Sequence, residues 1–430
     1  MTREFDFDIN YRSLSNDVRH LEILIPNAKT SACVALVKTG SQNETPGKAG
    51  LHHLLEHVAF RGTERFPNYE TWTKVASRIE ADHDADAEKQ YTEFWVFGSS
   101  EHTAKNIFLV SQLLKPTFPS SAVKKEKAYI VGSELAEYSD DAEELVEDFF
   151  EGFLFEGTAL SGNGLGNEKS IKAITRRDLR KVVEKYYRGA NVLVVTAGSF
   201  SRKIRSLVEE CFGSLPEGPS LPYEGASGYG KPGRKVYSTQ KTDRAHFMLG
   251  FAGVHRAHEL YYPLRVLGAM LGGSEYTGSS RLYQAVQLKK GQAYSLSTKI
   301  KARDDTGYIA AKGAVDPKVL IPILDTVRRQ VYGIVENATK EEVKLAKAFL
   351  RGKLKRDFES TLKVAEEVGI PVLISNKIET PREMLKNINA VKLDDIRRVA
   401  EELLRPELER LVVVGPVNEK LRKIRKFNPR

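Results

Sequence analysis

An internal repeat constrains the fold of this chain more than any other feature. Residues 178–188 align without a gap on residues 395–405, a shift of 217 positions in a chain of 430 residues. Each copy is followed by an apolar segment that ends at a glycine, Gly198 in the first copy and Gly415 in the second. Because the shift is close to half the chain length, the sequence predicts two copies of one structural unit.

The join between the copies is expected in a turn-rich stretch. Residues 213–233 hold 6 glycines and 4 prolines, a composition typical of a linker. We therefore predict an N-terminal domain over residues 1–215, a Gly/Pro-rich linker over residues 216–233 and a homologous C-terminal domain over residues 234–430.

Each half mixes short alternating segments with longer amphipathic ones. The predicted strands include Ala32–Lys38, Phe94–Phe97 and Phe247–Phe251. The predicted helices include Ala104–Leu114, Arg177–Tyr187 and Lys340–Phe358. This pattern indicates an α+β fold in which each duplicated domain is a mainly antiparallel sheet with helices packed on one face.

The strongest chemical signal is the segment His53-Leu54-Leu55-Glu56-His57. On a helix, His53, Glu56 and His57 fall within roughly 100° of each other, while the leucines face the opposite side. Two histidines at i and i+4 can bind one zinc ion, and a glutamate beside them can accept the proton of a zinc-bound water. The alternative is a solvated or hydrogen-bonded pair of surface histidines, but the added glutamate favours the metal site.

A catalytic zinc site needs a third protein ligand from elsewhere in the fold. A second helix is predicted over Ser120–Leu135, and Glu134 is our candidate ligand on it. Glu126, Glu137 and Asp140 lie nearby, so the residues alone leave the choice open.

The His-x-x-Glu-His motif, with 76 residues between His57 and Glu134, resembles the pitrilysin/insulysin group of zinc peptidases, which includes the mitochondrial processing peptidases. Other matching segments extend over nearly the whole chain: Gly50-Leu51-His52, Phe60-Arg61-Gly62-Thr63, Leu165-Gly166-Asn167-Glu168 and Ser280-Arg281-Leu282. The resemblance implies that His53, His57 and Glu134 bind Zn²⁺ and that Glu56 activates water.

The resemblance also implies how substrate is held. The two halves would enclose a chamber that admits unfolded peptides, and a peptide would bind as an added strand on a sheet edge formed by Asp84 to Tyr91. The predicted substrate-binding residues are Asp84, Ala85, Gln287 and Tyr294.

The chain departs from the family pattern at three places. Many members carry a second glutamate seven residues before the ligand glutamate, where this chain has Lys127, and the adjacent Glu126 is expected to face elsewhere. The Asn-Ala pair of the family is here Asp84-Ala85, which replaces an amide by an acceptor-only carboxylate. An arginine seven residues before Tyr294 is replaced by Gln287.

The motif belongs to the first copy alone. The shift of 217 maps residues 53–57 onto Met270-Leu271-Gly272-Gly273-Ser274 and maps Glu134 onto Arg351. We expect a zinc metalloendopeptidase that works as a homodimer or, given Gln287, as the zinc-bearing subunit of a heterodimer with a homologous chain. The alternative is a non-catalytic assembly or scaffold subunit related to processing peptidases.

Composition argues against other classes of partner. The 66 basic and 57 acidic residues give a net charge of +9, and the two signs are interspersed except in the C-terminal tail. That tail is expected to be a solvated helix face, because no nucleic-acid-binding module accompanies it. Its basic residues are Lys420, Arg422, Lys423, Arg425, Lys426 and Arg430.

Two further features concern location. The two cysteines, Cys33 and Cys211, cannot form a disulfide framework, which fits a reducing compartment. The first residues lack the pattern of a signal peptide or presequence, and no stretch approaches 18 apolar residues. We expect a cytoplasmic protein with no membrane or nucleic-acid partner.

Overall fold

The computed structural model describes residue 5 and residues 7–223, 228–274, 278–288 and 293–416, the side chains of residues 287 and 288 excepted. These residues form two compact units, each built around one sheet. The first unit takes the chain up to Leu135, the stretch from Gly162 to residue 223, and Lys355–Arg382. The second takes Ala136–Ser161, the chain from residue 228 to Leu354, and the chain from Glu383 onward.

Strands and helices alternate along both halves of the chain. The strands are β1 (Asp8–Ser13), β2 (Arg19–Leu24), β3 (Thr30–Val37), β4 (Asp82–Ala87), β5 (Thr92–Ser99), β6 (Val192–Gly198), β7 (Gly233–Ser238), β8 (Ala245–Ala252), β9 (Ala293–Ala302), β10 (Gly307–Val315) and β11 (Arg410–Gly415). The α-helices are α1 (Leu51–Ala59), α2 (Tyr69–Arg78), α3 (Thr103–Leu113), α4 (Ser120–Tyr129), α5 (Leu135–Asp140), α6 (Ala142–Leu154), α7 (Glu168–Ala173), α8 (Arg176–Tyr186), α9 (Ile204–Phe212), α10 (Tyr261–Leu271), α11 (Leu320–Tyr332), α12 (Ile334–Asn337), α13 (Lys340–Asp357), α14 (Thr361–Ser375), α15 (Pro381–Ala390) and α16 (Leu393–Leu403). Two segments are π-helical, Ile130–Glu134 and Tyr283–Leu288.

The two sheets share one topology. The first has the order β1-β2-β6-β3-β5-β4, and only the β2–β6 pair is parallel. The second has the order β7-β11-β8-β10-β9, and only the β7–β11 pair is parallel. When 217 is added to the residue numbers of β2, β6, β3, β5 and β4, these strands fall on β7, β11, β8, β10 and β9, in the same order. The duplicated, mainly antiparallel α+β fold is therefore confirmed.

The expected elements agree closely with the structure. Phe94–Phe97 and Phe247–Phe251 lie inside β5 and β8, and the predicted strand Ala32–Lys38 overlaps β3. The three predicted helices correspond to α3, α8 and α13, with ends that differ by one residue. In the described part of residues 213–232 there is neither a helix nor a strand, as expected for the linker.

A single cut in the linker does not describe the packing, because each unit takes one helix from the other half of the sequence. Helix α14 packs on β3 and β6 of the first sheet, and α6 packs on β8 and β11 of the second. The residues equivalent to α6 after the shift of 217 lie mostly within α14, so the two halves exchange corresponding helices. The compact units therefore differ from the predicted domains by these helices, and the domain bounds at residues 215 and 234 stay a prediction.

The exchanged helix covers a second face of the first sheet. Cys33, Ala35 and Val37 pack into the core beneath the main helix layer. Leu36 points the other way, because side chains alternate along a strand. A Cβ atom added to Gly369 of α14 would lie 2.6 Å from Cγ2 of Val195 and 3.4 Å from Cδ1 of Leu36, which shows how closely α14 approaches. Helices therefore lie on both faces of this sheet rather than on one.

The start of α1 is fixed by a glycine and a carboxylate. Gly50 has φ 86°, a conformation that L-residues with side chains rarely adopt, and a Cβ there would meet Ile171 at 2.5 Å. The Glu44 carboxylate accepts hydrogen bonds from the N–H groups of Gly50 and His52, both at 2.9 Å. These contacts orient the helix so that Leu54, Leu55 and Val58 are buried.

Three further expectations concern the cysteines, membrane-spanning helices and the basic tail. Cys33 and Cys211 are both buried, unpaired thiols. In the part of the chain that the structure describes, none of the helices combines the length and the apolar character needed to cross a bilayer. The basic C-terminal tail lies outside the described residues.

One buried carboxylate of the first sheet has an unusual environment. Glu93 on β5 is 6% exposed, and among the described residues no hydrogen-bond donor reaches its Oε2 atom. Burial first, and then the charges of Glu366, Asp86 and Glu88, raise the pKa of Glu93 from 4.5 to about 8. Between about pH 5 and pH 8, Glu93 is therefore protonated in the folded protein, whereas it is ionised in the unfolded chain.

This shift predicts a pH-dependent cost in stability. Because the folded-state pKa is raised, the free energy of unfolding should fall as pH rises from about 5 to about 8, by roughly 2 to 4 kcal/mol for this residue. Glu93→Gln cannot lose a proton, so its melting temperature should match that of the wild type near pH 5 and exceed it increasingly toward pH 8. The exposed Glu101→Gln serves as the control and should follow the wild type. Parallel curves for Glu93→Gln and the wild type would contradict the buried, proton-bound state.

Candidate metal centre

Three side chains converge between α1 and the helix that follows α4. Nε2 of His53 lies 2.8 Å from Oε2 of Glu134, and Nε2 of His57 lies 3.3 Å from Oε1 of the same carboxylate. The two imidazole centroids are 4.7 Å apart. Among the described residues, these are the one group of three or more metal-ligating side chains whose ligand atoms lie within 4.8 Å of each other.

The electrostatics of the group fit a cation. Burial alone would lower the pKa of His53, but hydrogen bonds and charge from Glu134 and Glu56 raise it to about 9. Burial would likewise raise the pKa of Glu134, and the neighbouring His53 and His57 hold it below its ordinary value instead. Two imidazoles and an ionised carboxylate are the donor set of known catalytic zinc sites, so these residues could hold one divalent metal ion.

A π-helical segment sets the position of Glu134. Residues 130–134 form a π turn between α4 and α5, and Glu134 is its last residue. Such a turn accommodates one extra residue within a helix, and π turns occur frequently at functional sites. In an uninterrupted α-helix, residues seven apart share a face, whereas residues eight apart lie about 80° round from each other. The π turn therefore changes which residue of α4 shares the face of Glu134.

That residue is Glu126. Its Oε2 lies 3.2 Å from Nδ1 of His57, so it contacts the ring nitrogen opposite the one that faces Glu134. Nε of Arg61 lies 2.8 Å from the other oxygen of Glu126. Burial would raise the pKa of Glu126, but His57 and Arg61 hold it below its ordinary value. An ionised carboxylate at this nitrogen fixes the orientation of the His57 ring.

The expectation that Glu126 faces elsewhere is therefore wrong. It assumed a regular α-helix up to Glu134, and the π turn breaks that regularity. Lys127, which occupies the family's glutamate position, points away from the group. Its ammonium donates to the carbonyl oxygens of Lys172 and Ile174, at 2.7 and 2.8 Å.

A cavity of about 320 Å³ opens beside the group. It combines acidic and basic side chains with aromatic rings, and all of its lining belongs to the first unit. The lining residues are Glu56, His57, Phe60, Arg61, Tyr69, His83, Asp84 and Glu134. Within it, Oε2 of Glu56 lies 3.8 Å from Nδ1 of His53. The carboxylate of Glu56 thus shares an opening with the candidate ligands, as the motif predicted.

Sequence reasoning gave no role to the aromatic side of this cavity. His83 stacks on Trp72 with ring centroids 4.5 Å apart, and the Arg61 guanidinium lies 4.4 Å from the ring centroid of Tyr69. Phe60 follows His57 by one helical turn, so its place could have been inferred from the motif helix. His83 and Tyr69 come from other elements, and only the position of His83 next to Asp84 gave a hint.

The expected substrate edge is shorter than predicted. β4 is the edge strand of the first sheet and ends at Ala87, so Tyr91 lies outside it, in the turn that leads to β5. Asp84 is exposed and lines the cavity, while Ala85 is 3% exposed and points into the core. Of this pair, only Asp84 lines the cavity.

The other two predicted substrate-binding residues belong to the second unit. Tyr294 on β9 is 59% exposed, and the Arg244 guanidinium lies 3.9 Å from its ring centroid. Gln287 falls in the π-helical segment 283–288, and its side chain lies outside the described residues. Its predicted role stays a prediction.

Comparison with protein families agrees with this geometry. The family described as "Insulinase (Peptidase family M16)" matches residues 22–167, which include all the candidate ligands. The family described as "Peptidase M16 inactive domain" matches residues 173–350, which include none of them. Together the two matches span most of the chain, and the protein belongs to peptidase family M16, the pitrilysin-like zinc peptidases.

Full-length relatives and solved structures also agree with membership in family M16. The chain is 29% identical to the uncharacterized zinc protease YmxG of Bacillus subtilis, over 92% of this chain and 96% of the relative. It is 26% identical to the mitochondrial-processing peptidase subunit beta of Blastocladiella emersonii, over 91% and 85% of the two chains. A crystal structure from Pseudomonas fluorescens, titled as a peptidase M16 inactive domain, has the same fold, with a TM-score of 0.87 at 17% identity over 96% of this chain and 98% of that one.

The π turn generates a prediction about metal affinity. Glu126→Ala should weaken metal binding about 10- to 100-fold, because the His57 ring loses the carboxylate that orients it. Lys127→Glu should change the affinity little, and the double variant Glu126→Ala/Lys127→Glu should stay as weak as Glu126→Ala. Competition with a chromogenic chelator for Zn²⁺ gives the affinities. Recovery in the double variant would show that position 127 can face the site and would contradict the π register.

Proposed function

We propose that the protein is a zinc-dependent endopeptidase that hydrolyses unfolded peptides. One observation carries the proposal: His53, His57 and Glu134 come together with Glu56 beside one open cavity. Membership in family M16 and relatives named as zinc proteases support the same activity. In this proposal the three converging side chains bind the ion, and the enclosed chamber expected from the resemblance stays a prediction.

The chemistry divides between the ion and the chain. When bound, Zn²⁺ polarises the scissile carbonyl and lowers the pKa of water at the site. Glu56 accepts the proton of the attacking water and then donates it to the leaving amine. Glu126 holds Nδ1 of the His57 ring, so that Nε2 faces Glu134 and would be available as a ligand atom. The edge strand β4 offers backbone groups to which an extended peptide can add, with Asp84 at the cavity.

Two variants separate metal binding from chemistry. Glu56→Gln should retain one Zn²⁺ per chain but lose at least about 10²-fold in kcat, because an amide cannot take the proton. His57→Ala should lose both the metal and the activity, because two protein ligands rarely hold zinc. Elemental analysis of the purified variants is paired with cleavage of an internally quenched peptide, and Glu101→Gln is the control. Full activity in Glu56→Gln, or unchanged metal content in His57→Ala, would exclude the assigned roles.

A non-catalytic subunit is the second candidate. The match of the second half to a domain described as inactive, together with Gln287, favours a role for this chain within a larger assembly. The complete set of ligands and base in the first half favours catalysis. A purified chain that binds no metal and cleaves no peptide would decide for the non-catalytic role.

We further propose that the active form is a dimer, either of two identical chains or of this chain with a homologous one. Relatives described as subunits of a processing peptidase support this assembly. If labour is divided, the chain purified from its native source should bring a homologous protein that lacks the His/Glu motif, and adding it should raise peptidase activity at least about tenfold. Size-exclusion chromatography with light scattering, followed by mass spectrometry, identifies the partner. Full activity of the isolated homodimer would contradict division of labour.

A further inference from the structure

We propose that the exchanged helix α14 is a pH-sensitive switch: it packs on the first sheet while Glu93 carries a proton, and it separates from the sheet when the carboxylates around Glu93 are all ionised. The inference concerns a conformational change and goes beyond the proposed peptidase function. The carboxylates belong to the first unit, and we refer to them as the acidic cluster. They are Asp86, Glu88, Glu93 and Glu366.

Strand register places Glu93 beneath α14. Glu93 of β5 is the direct partner of Leu36 on β3 and of Asp86 on β4, so the three side chains leave the same face of the sheet. Leu36 lies on the face that α14 covers, because a Cβ atom added to Gly369 of that helix would lie 3.4 Å from its Cδ1 atom. Glu93, at 6% exposure, is therefore buried on the face that α14 covers.

The helix brings a carboxylate of its own to this face. Glu366 precedes Gly369 by three residues, so the two residues lie on one side of α14. The side chain of Glu366 is 14% exposed, and its charge acts on both Glu93 and Asp86. The contact between α14 and the sheet therefore places like charges opposite each other whenever these side chains are ionised.

The charges around Glu93 are mostly negative. The charged groups that act on it most strongly are Glu366 and Lys363 of α14, Asp86 of β4, and Glu88 in the turn after β4. Lys363 lies 2.5 Å from Glu366, so its one positive charge is already shared with that carboxylate. Tyr91 also lies near Glu93, but burial raises the pKa of its hydroxyl, which therefore stays neutral.

A proton on Glu93 removes the main cost of this arrangement. Burial and the neighbouring carboxylates raise the pKa of Glu93 to about 8 and that of Asp86 to about 6. Oε2 of Glu93 meets no hydrogen-bond donor of the described residues, although a buried polar atom normally has a partner. An ionised Glu93 beneath α14 would lack both a donor and water, and separation of the helix lets water reach it.

Helix α14 is the element that can yield. The first unit takes it from the second half of the chain, and most of α13 and α15, its neighbours in sequence, belongs to the second unit. Its polar attachments to the first sheet include the Oγ1 atoms of Thr30 and Thr361, 3.1 Å apart, and a bond of 2.8 Å from Arg19 to Oδ1 of Asn376. Pro371 removes one backbone hydrogen bond inside the helix. These attachments are easier to break than the paired strands of the sheet, because a strand is held by a ladder of backbone hydrogen bonds.

The acidic cluster also connects α14 to the edge strand. Asp86 follows Asp84 by two residues on β4, so both side chains leave the same face, and Asp84 lines the cavity beside the candidate metal ligands. Separation of α14 exposes this face of the β4–β5 pair to water. The switch therefore changes the surroundings of a strand that forms one wall of the cavity.

Hydrogen–deuterium exchange of the full-length protein, read by mass spectrometry, measures the opening of α14. The closed form holds the Glu93 proton and the open form releases it, so the opening equilibrium rises about tenfold per pH unit between the two pKa values. After correction for the intrinsic exchange rate, the protection of α14 amides should fall about tenfold per unit from about pH 6 to about pH 8 and level off above about pH 9. Helix α3, which packs on β3 and β5 from the opposite face, is the internal reference. At pH 8 it should stay at least about tenfold better protected than α14.

Two variants test whether the acidic cluster causes the opening. Glu93→Gln has no proton to release, so the protection of α14 should vary less than about threefold over the same pH range. Glu366→Gln removes the charge that faces Glu93 from the helix and should raise the protection of α14 at pH 8 at least about threefold. The exposed Glu101→Gln is the control and should follow the wild type.

Each remaining outcome rejects the switch. Equal protection of α14 and α3 at every pH would show that the first unit opens only as a whole. Protection of α14 that does not change between pH 6 and pH 8 in the wild type would show that the helix stays packed above an ionised Glu93. A pH dependence that survives in Glu93→Gln would assign the opening to groups outside the acidic cluster.

Discussion

The contact of one carboxylate, Glu134, with both histidines of α1 determines what the first unit can do. The two imidazoles lie on one helix, so their spacing follows from the sequence. The third ligand has to face that helix, and a residue of the same helix cannot do so. Glu134 reaches them from a different helix, and its oxygens lie 2.8 and 3.3 Å from the two Nε2 atoms. Everything that holds these two helices in place therefore contributes to the site. The Glu44 cap and the close contacts of Gly50 fix α1, while the π turn at residues 130–134 fixes Glu134.

Because the fold is duplicated, one copy can carry the metal ligands while the other keeps the same strand arrangement without them. The five strands of the second sheet have the same order as β2, β6, β3, β5 and β4 of the first, so the packing of strands does not depend on the metal ligands. In the second copy, the positions equivalent to the motif begin with Met270 and Leu271, which are 3% exposed. The position equivalent to Glu134 is Arg351, which donates to the side chain of Asn389 at 3.0 Å. These positions therefore offer no metal ligands in the second copy.

Much of this could be predicted from the sequence, and the failures share a cause. Periodicity predicts the strands and helices within a few residues, and the shift of 217 predicts the common sheet order. The metal group also follows, although the choice of Glu134 depended on resemblance. The π turn was missed because Gly132, the visible sign of irregularity in residues 130–134, does not distinguish a π turn from a regular helix, and so Glu126 was given the wrong face. The exchange of α6 and α14 was missed because sequence patterns show that a helix has an apolar face without showing which sheet that face will contact.

The first unit contains two sets of carboxylates whose pKa values are shifted in opposite directions. Glu126 and Glu134 have lowered pKa values because imidazole and guanidinium groups face them. Burial and like charges raise the pKa of Asp86 to about 6 and that of Glu93 to about 8. Near neutral pH the first set is therefore ionised and ready for a cation, whereas Glu93 keeps its proton. The charge of Glu56 contributes to the shift of Asp86, so the second set is coupled to the candidate base beside the metal centre. Asp86 therefore loses its proton before Glu93 does as pH rises, and the negative charge of this region increases in two steps across the neutral range.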